Sequence, residues 1–186
     1  MDQIVDKAPF VEGLGLTSLR VRLLRICLAV VFVGITTSSW AASVTTSEQK
    51  MGLYSLIDSL TDSATLNRSI IEQLTGTKLS MSSSGVFNRY EAHNIMLTDA
   101  SIELIDYREP SSNVATRGAL LVLTLADTCV RKDDVFAHYS PLAISSTPSG
   151  HSLDEQTYFS KSGPRGRLSF GFMERSRDCL KTVIIE

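Results

Sequence analysis

Apolar residues between positions 53 and 60 recur at the spacing of one helical face. Side chains three and four residues apart lie above one another on a helix, so this pattern predicts an amphipathic α-helix. The polar stretch 61–63 ends it, and Ser47 is the candidate N-cap. The residues that define the face are Leu53, Leu56, Ile57 and Leu60.

A second short helix is predicted over residues 66–74. Ser63 or Thr65 can cap its start. Gly76 stands where a glycine C-terminal cap is expected. The residues that repeat every four positions are Leu66, Ile70 and Leu74.

After these helices the pattern becomes extended. Residues 86–97 place β-formers on a polar background, which is typical of a half-exposed strand at the edge of a sheet. A turn at 99–100 separates them from a partner strand over 102–107, and two strands so close in sequence form an antiparallel hairpin.

Three further strands are expected downstream. The uninterrupted apolar run 119–126 predicts a strand buried on both faces at the sheet centre. Alternation over 167–173 and the short apolar run 181–185 predict two more, whereas 127–134 and 140–156 are polar and predict loops. We find no internal repeat at a fixed period. The order of elements predicts an α+β fold, with two N-terminal helices packed on an antiparallel sheet of about five strands.

The segment Ile70-Ile71-Glu72-Gln73-Leu74-Thr75-Gly76, a short helix that ends in Leu-x-Gly before antiparallel strands, resembles small helix-then-sheet domains of the bacterial envelope. Outer-membrane assembly lipoproteins and β-lactamase-inhibitory-protein-like modules have this architecture. The resemblance covers about residues 63–130, and the chain differs from the lipoproteins because it has no cysteine placed for lipidation. It implies a protein-binding role, and it carries over no functional residue.

The N-terminal segment has the order of a secretory signal peptide. A cationic cluster of Arg20, Arg22 and Arg25 precedes the uncharged apolar run 26–35, and small polar residues follow. Cleavage after Ala41 would remove residues 1–41, an N-terminal extension and signal peptide, and leave 42–186 as one periplasmic domain. The alternative is an inner-membrane anchor formed by residues 26–42, although the apolar run has half the roughly 20 residues that a spanning helix needs.

Charge and cysteine content narrow the class of protein. The chain has 18 Lys plus Arg against 20 Asp plus Glu, and this balance lacks the basic excess of a nucleic-acid-binding domain. Export leaves Cys129 and Cys179 as the two cysteines of the mature chain, which predicts one disulfide in an oxidising compartment. A redox or metal-binding pair is the alternative, but the sequence contains no C-x-x-C.

No segment has the pattern of a catalytic site. Ser149, His151 and Asp154 crowd one loop, whereas a Ser-His-Asp site needs residues brought together across a fold. The sequence also predicts no metal site and no cofactor. A hydrolase that uses His138 or His151 remains the enzymatic alternative.

The C-terminal third carries a cluster of basic residues that forms a candidate binding patch. Such a patch fits an acidic protein partner, anionic lipid headgroups or cell-wall polymers. The alternative is surface charge that keeps sheet edges from pairing. Its residues are Lys161, Arg165, Arg167, Arg175 and Arg177.

These observations predict an exported, non-enzymatic binding protein of the periplasm. The first hypothesis is an envelope accessory protein that binds another protein or an anionic wall or membrane component. The second is an immunity or inhibitor protein that neutralises a toxin or hydrolase arriving in the periplasm.

Overall fold

A computed structural model describes residues 50–111, 118–163 and 166–186. The predicted signal segment with its cleavage site after Ala41, the Ser47 cap and the patch residue Arg165 lie outside these ranges. Within them, every helix is too short or too polar to cross a bilayer.

The fold is α+β with one antiparallel sheet, as the sequence predicts, but the elements are more numerous. The helices are α1 (Leu53–Asp62), α2 (Arg68–Thr75) and α3 (Lys132–Tyr139). The strands are β1 (Ser80–Ser83), β2 (Phe87–Met96), β3 (Ser101–Pro110), β4 (Leu120–Leu125), β5 (Ala143–Ser146), β6 (Gln156–Gly163), β7 (Gly166–Met173) and β8 (Leu180–Ile185).

The eight strands form one sheet in the order β1-β2-β3-β4-β8-β7-β6-β5. The helices contact one face of it. The Tyr107 hydroxyl on β3 donates to the carbonyl of Leu66 beside α2, and the Tyr139 ring on α3 packs on Phe170 of β7 with centroids 4.7 Å apart. Alternate strand residues on this face form the hydrophobic core together with α1. We call the opposite face, which none of the described helices contacts, the helix-free face.

The prediction of two helices and about five strands is therefore wrong in number. Helix α3 was missed because Val135 and Tyr139 are its only buried residues and charged side chains surround them. Strands β1 and β5 were missed because all their residues are exposed, so neither shows an alternating pattern. β6 was missed as well: it begins where the predicted 140–156 loop ends, and its residues do not alternate between buried and exposed.

Two expectations about individual strands also fail. β2 is not a sheet edge, because β1 pairs along its outer side. β4 lies at the sheet centre, but its residues alternate between buried and half-buried. The prediction of burial on both faces fails because no described helix covers the second face.

The helix termini are set partly by distant residues. The Asn67 side chain caps α2, accepting from the Ile70 N–H at 3.0 Å, in place of Ser63 or Thr65. At the start of α1, the Leu53 N–H donates to the Asp99 carboxylate at 2.8 Å. Gly76 ends α2 with φ of 66°, as the glycine cap predicts.

The predicted disulfide joins Cys129 and Cys179, whose Cα atoms are 4.8 Å apart. It connects the segment after β4 to the start of β8, beside a bridge between Arg131 and Cys179. The two central strands are therefore linked covalently as well as by hydrogen bonds.

The sheet consists of two similar halves, each a helix followed by a four-stranded meander. α2 precedes β1 to β4, and α3 precedes β5 to β8. The first strands of the halves match closely: Leu79-Ser80-Met81-Ser82-Ser83 resembles Leu142-Ala143-Ile144-Ser145-Ser146, and the register shifts at the same place in both. The loop after β5 is longer than the loop after β1, so equivalent residues do not recur at a fixed period.

Strand pairing gives the correspondence residue by residue. Tyr90 pairs with Tyr107 as Phe159 pairs with Phe170. Where the halves meet, Val122 of β4 lies opposite Ile184 of β8. Because β4 and β8 are antiparallel, a pseudo-twofold axis through this last pair exchanges the two halves.

Candidate functional site

The helix-free face has an apolar centre. Val122 and Ile184, the pair on the pseudo-twofold axis, are half-buried, and so is Leu104 on the neighbouring strand β3. Leu121 and Val183 point to the opposite face and are fully buried in the core. The centre of the helix-free face is thus a partly accessible apolar surface.

One side of this centre carries a network of four charged residues, which we call the charged quartet: Arg89, Glu91, Asp106 and Arg108. Arg89 donates to Asp106 through both Nε and Nη2 at 2.9 Å. Arg108 Nη2 donates to the same carboxylate at 2.6 Å, and Arg89 Nη2 lies 3.0 Å from Glu91. Two guanidinium groups therefore converge on one carboxylate.

The anionic part of the quartet is the more buried. The Asp106 side chain is 6% exposed, whereas those of Arg89 and Arg108 are 37% and 42% exposed. Burial alone would raise the pKa of the Asp106 carboxyl, but hydrogen bonds and charge from Arg108 and Arg89 together hold it below its ordinary value. The carboxylate is therefore ionised at neutral pH, and the surface above it presents guanidinium groups.

The second half holds neutral residues at the equivalent positions. Glu91 pairs with Asp106, and the matching pair across β6 and β7 is Ser160 and Ser169. Ser160 donates to Ser169 at 2.7 Å within a buried contact, and Ser145 lies 2.6 Å from Ser160.

The two arginines have neutral counterparts as well. Arg89 pairs with Arg108, and Tyr158 pairs with Gly171 in the same place. The Tyr158 ring lies 2.7 Å from the position of a Cβ on Gly171, so it covers the glycine. The four equivalent positions are therefore all charged in the first half of the sheet and all neutral in the second half.

A cleft of about 620 Å³ lies on the helix side, between the end of α1 and the β6–β7 hairpin. Asp58 and His138 approach to 3.0 Å at its wall, and Tyr54 stacks on the His138 ring at 4.8 Å. Burial, followed by the nearby Asp58 charge, raises the pKa of the Tyr139 hydroxyl. The mixed and mostly paired charges of this cleft favour no particular ligand.

The predicted basic patch is spread over two sites. Lys161 and Arg167 line the cleft near the hairpin, where Arg167 pairs with Glu186 at 2.6 Å. Arg175 and Arg177 lie beyond the opposite end of β7, paired with Asp154 and Glu174 respectively. Arg165 lies outside the described residues.

The loop with Ser149 and His151 is organised by a carboxylate. Glu155 accepts from the Ser149 hydroxyl at 2.8 Å and from the backbone N–H groups of Gly150 and His151 at 3.0 and 3.2 Å. Asp154 pairs with Arg175 instead of the histidine. Across the described ranges no group of three or more His, Cys, Asp or Glu is placed to hold a metal ion.

The charged quartet was not among the predicted sites. Arg89 and Glu91 are two residues apart on one strand, as are Asp106 and Arg108 on the next, and this spacing places each pair on one face. Two such pairs on the strands of a predicted hairpin could have indicated a charged cluster on one face of the sheet.

No protein-family model, curated protein or solved structure matches this chain.

Proposed function

We propose that this chain is an exported binding protein of the bacterial envelope that docks another protein on its helix-free face. The observation that carries this proposal is the combination of an apolar centre and a fixed charged network on one sheet face that none of the described helices contacts. Export rests on the order of residues at the N-terminus, from Arg20 to Ala41.

The size of the face fits a protein partner. Eight strands spaced about 4.8 Å apart span roughly 34 Å, and six residues along the central strands span about 20 Å. The product is on the order of 700 Å², close to the ~800 Å² that each partner contributes to a stable interface.

The composition of the face points the same way. Protein interfaces have an apolar centre, a polar rim and an excess of Arg and Tyr. Val122 and Ile184 provide the centre, and Arg89, Arg108 and Tyr158 stand around it. Arginine and tyrosine are also the residues that most often contribute large binding energies.

Photo-cross-linking in living cells tests the docking face. A photoreactive phenylalanine would replace Leu104 or Ile184 on the helix-free face, and Leu153, an exposed loop residue, as the matched control. We expect the same protein adduct from Leu104 and Ile184 and none from Leu153. Adducts of equal yield at all three positions, or none at any, would overturn the proposal.

The identity of the adduct separates the two roles. A resident protein of the envelope would assign the accessory role that we propose. A toxin or hydrolase would assign the inhibitor role instead. An intact mass beginning at residue 42 in the periplasmic fraction would test export and cleavage independently.

A further inference from the structure

We propose that the charged quartet is the anchor of the helix-free face, where Arg89 and Arg108 bind a carboxylate side chain in an acidic segment of the partner protein. This inference rests on the proposed function and names the chemistry of the partner at that surface.

The second half of the sheet forms equivalent strand pairs without such a quartet. The pseudo-twofold places Ser160 and Ser169 where the first half has Glu91 and Asp106, and the second half forms the same strand pairs. Replacing a buried ionic network with well-packed neutral residues is often neutral or stabilising. Charges at positions where the same architecture uses hydroxyls are therefore explained by binding better than by stability.

The exposed part of the quartet is cationic. Its four formal charges cancel, but the Asp106 and Glu91 side chains are 6% and 22% exposed against 37% and 42% for the arginines. A partner that approaches the face meets guanidinium groups first. Complementarity of charge then selects an acidic group.

The guanidinium groups are also held in position. Arg89 and Arg108 each direct Nε and Nη2 at the Asp106 carboxylate, which leaves Nη1 of both outside these bonds. An arginine has five N–H donors in a rigid fork, so donors remain for a second carboxylate. Because Asp106 already orders both side chains, binding costs less conformational entropy than at free arginines.

A peptide-binding assay tests the anchor directly. The probe is a fluorescein-labelled peptide with six consecutive glutamates, and its control has six glutamines. The protein is purified from the periplasmic fraction, either as wild type or carrying Arg89→Tyr, Glu91→Ser, Asp106→Ser and Arg108→Gly. We call the latter the exchange variant, because it copies the residues of the second half. Circular dichroism and thermal unfolding verify that it folds.

We expect fluorescence anisotropy to show salt-sensitive binding of the glutamate peptide by the wild type, weakened at least tenfold in the exchange variant. Lys78→Gln, which removes an exposed cation paired with Glu72 of α2, serves as the matched control and should bind as the wild type does. Equal binding of both peptides, equal affinity of the exchange variant, or no binding by the wild type would each overturn the anchor.

Cross-linking from Ile184 distinguishes this failure from failure of the proposed function. If the exchange variant keeps the wild-type adduct in full, the face binds its partner without the quartet, and only the present inference is wrong. If the wild type itself gives no adduct, the docking face is wrong.

Discussion

Asp106 and Ser169 occupy equivalent positions in the two halves of the sheet. Each is less than a tenth exposed, and each lies on the helix-free face of the strand that flanks the central pair. Asp106 is held by two arginines, and Ser169 accepts from Ser160. The same position in the sheet therefore holds an ionic network in one half and a hydrogen-bonded pair of hydroxyls in the other. The effect of the charges can be judged by comparing the two halves.

The first prediction is that Asp106→Ser alone destabilises the protein by about 1–3 kcal/mol, because it leaves Arg89 and Arg108 without their shared acceptor. Both arginines are more than a third exposed, so water compensates part of the loss and the larger penalties of fully buried pairs do not apply. Urea unfolding followed by circular dichroism measures the change.

The exchange variant is the control for this measurement. Removal of all four charges leaves no unpaired group, so its midpoint should lie closer to that of the wild type than the midpoint of the single variant does. The reverse order would show that the fold itself depends on the quartet.

The second prediction concerns acid. The pKa of Asp106 is lower in the folded protein than in the unfolded chain, so its contribution to stability is fully present above the ordinary Asp value of about 4. This contribution is lost as the pH falls below about 4 and passes the lower pKa that Asp106 has in the folded protein. Between pH 7 and pH 3, the wild type should lose more stability than the exchange variant, as measured by urea midpoints. Parallel losses would contradict the assigned direction.

The third prediction concerns the disulfide. Cys129 is exposed, so dithiothreitol should reduce the bond without prior unfolding. Loss of a cross-link that closes a 50-residue separation should lower stability by about 2–4 kcal/mol. Thermal unfolding with and without reductant measures this loss. A Cys129→Ala, Cys179→Ala variant should unfold at the temperature of the reduced wild type, and no effect of reductant on the oxidised protein would refute the expectation.

The fourth prediction concerns the start of α2. Asn67→Ala removes the acceptor of the Ile70 N–H and should cost about 1 kcal/mol. Asn67→Ser keeps a capping oxygen and should retain most of the stability. If Ala and Ser unfold at the same urea concentration, the cap contributes nothing measurable.

A fifth prediction uses the backbone of β2. Asn94 has φ of 58°, a conformation that asparagine and glycine adopt more easily than other residues. Asn94→Ala should therefore destabilise the protein by about 1 kcal/mol, and Asn94→Gly should be nearly neutral. Differential scanning calorimetry of the two variants would show the contrast, and an Ala variant as stable as the Gly variant would argue against a strained backbone here.

Local patterns were sufficient for the elements that bury a continuous face. The spacing from Leu53 to Leu60 specified α1, and the alternation over 167–173 matches β7, because burial of one face leaves its period in the sequence. The predicted export to an oxidising compartment, together with the two cysteines left after cleavage, predicted the disulfide between Cys129 and Cys179.

Other elements depend on tertiary contacts. β1 and β5 are exposed edge strands stabilised by hydrogen bonds to β2 and β6, and backbone pairing leaves no apolar period in the sequence. The capping of α1 by Asp99 joins residues 46 positions apart, which no local motif encodes.

The sequence by itself determined the class of fold, the two N-terminal helices, the central strand and the disulfide, because each follows from local spacing or from residue chemistry. Only the tertiary structure revealed the two equivalent halves, the helix-free face and the meeting of Arg89 and Arg108 at Asp106. These features depend on which strands pair and in what register, and pairing energy depends on residues that are distant in the chain.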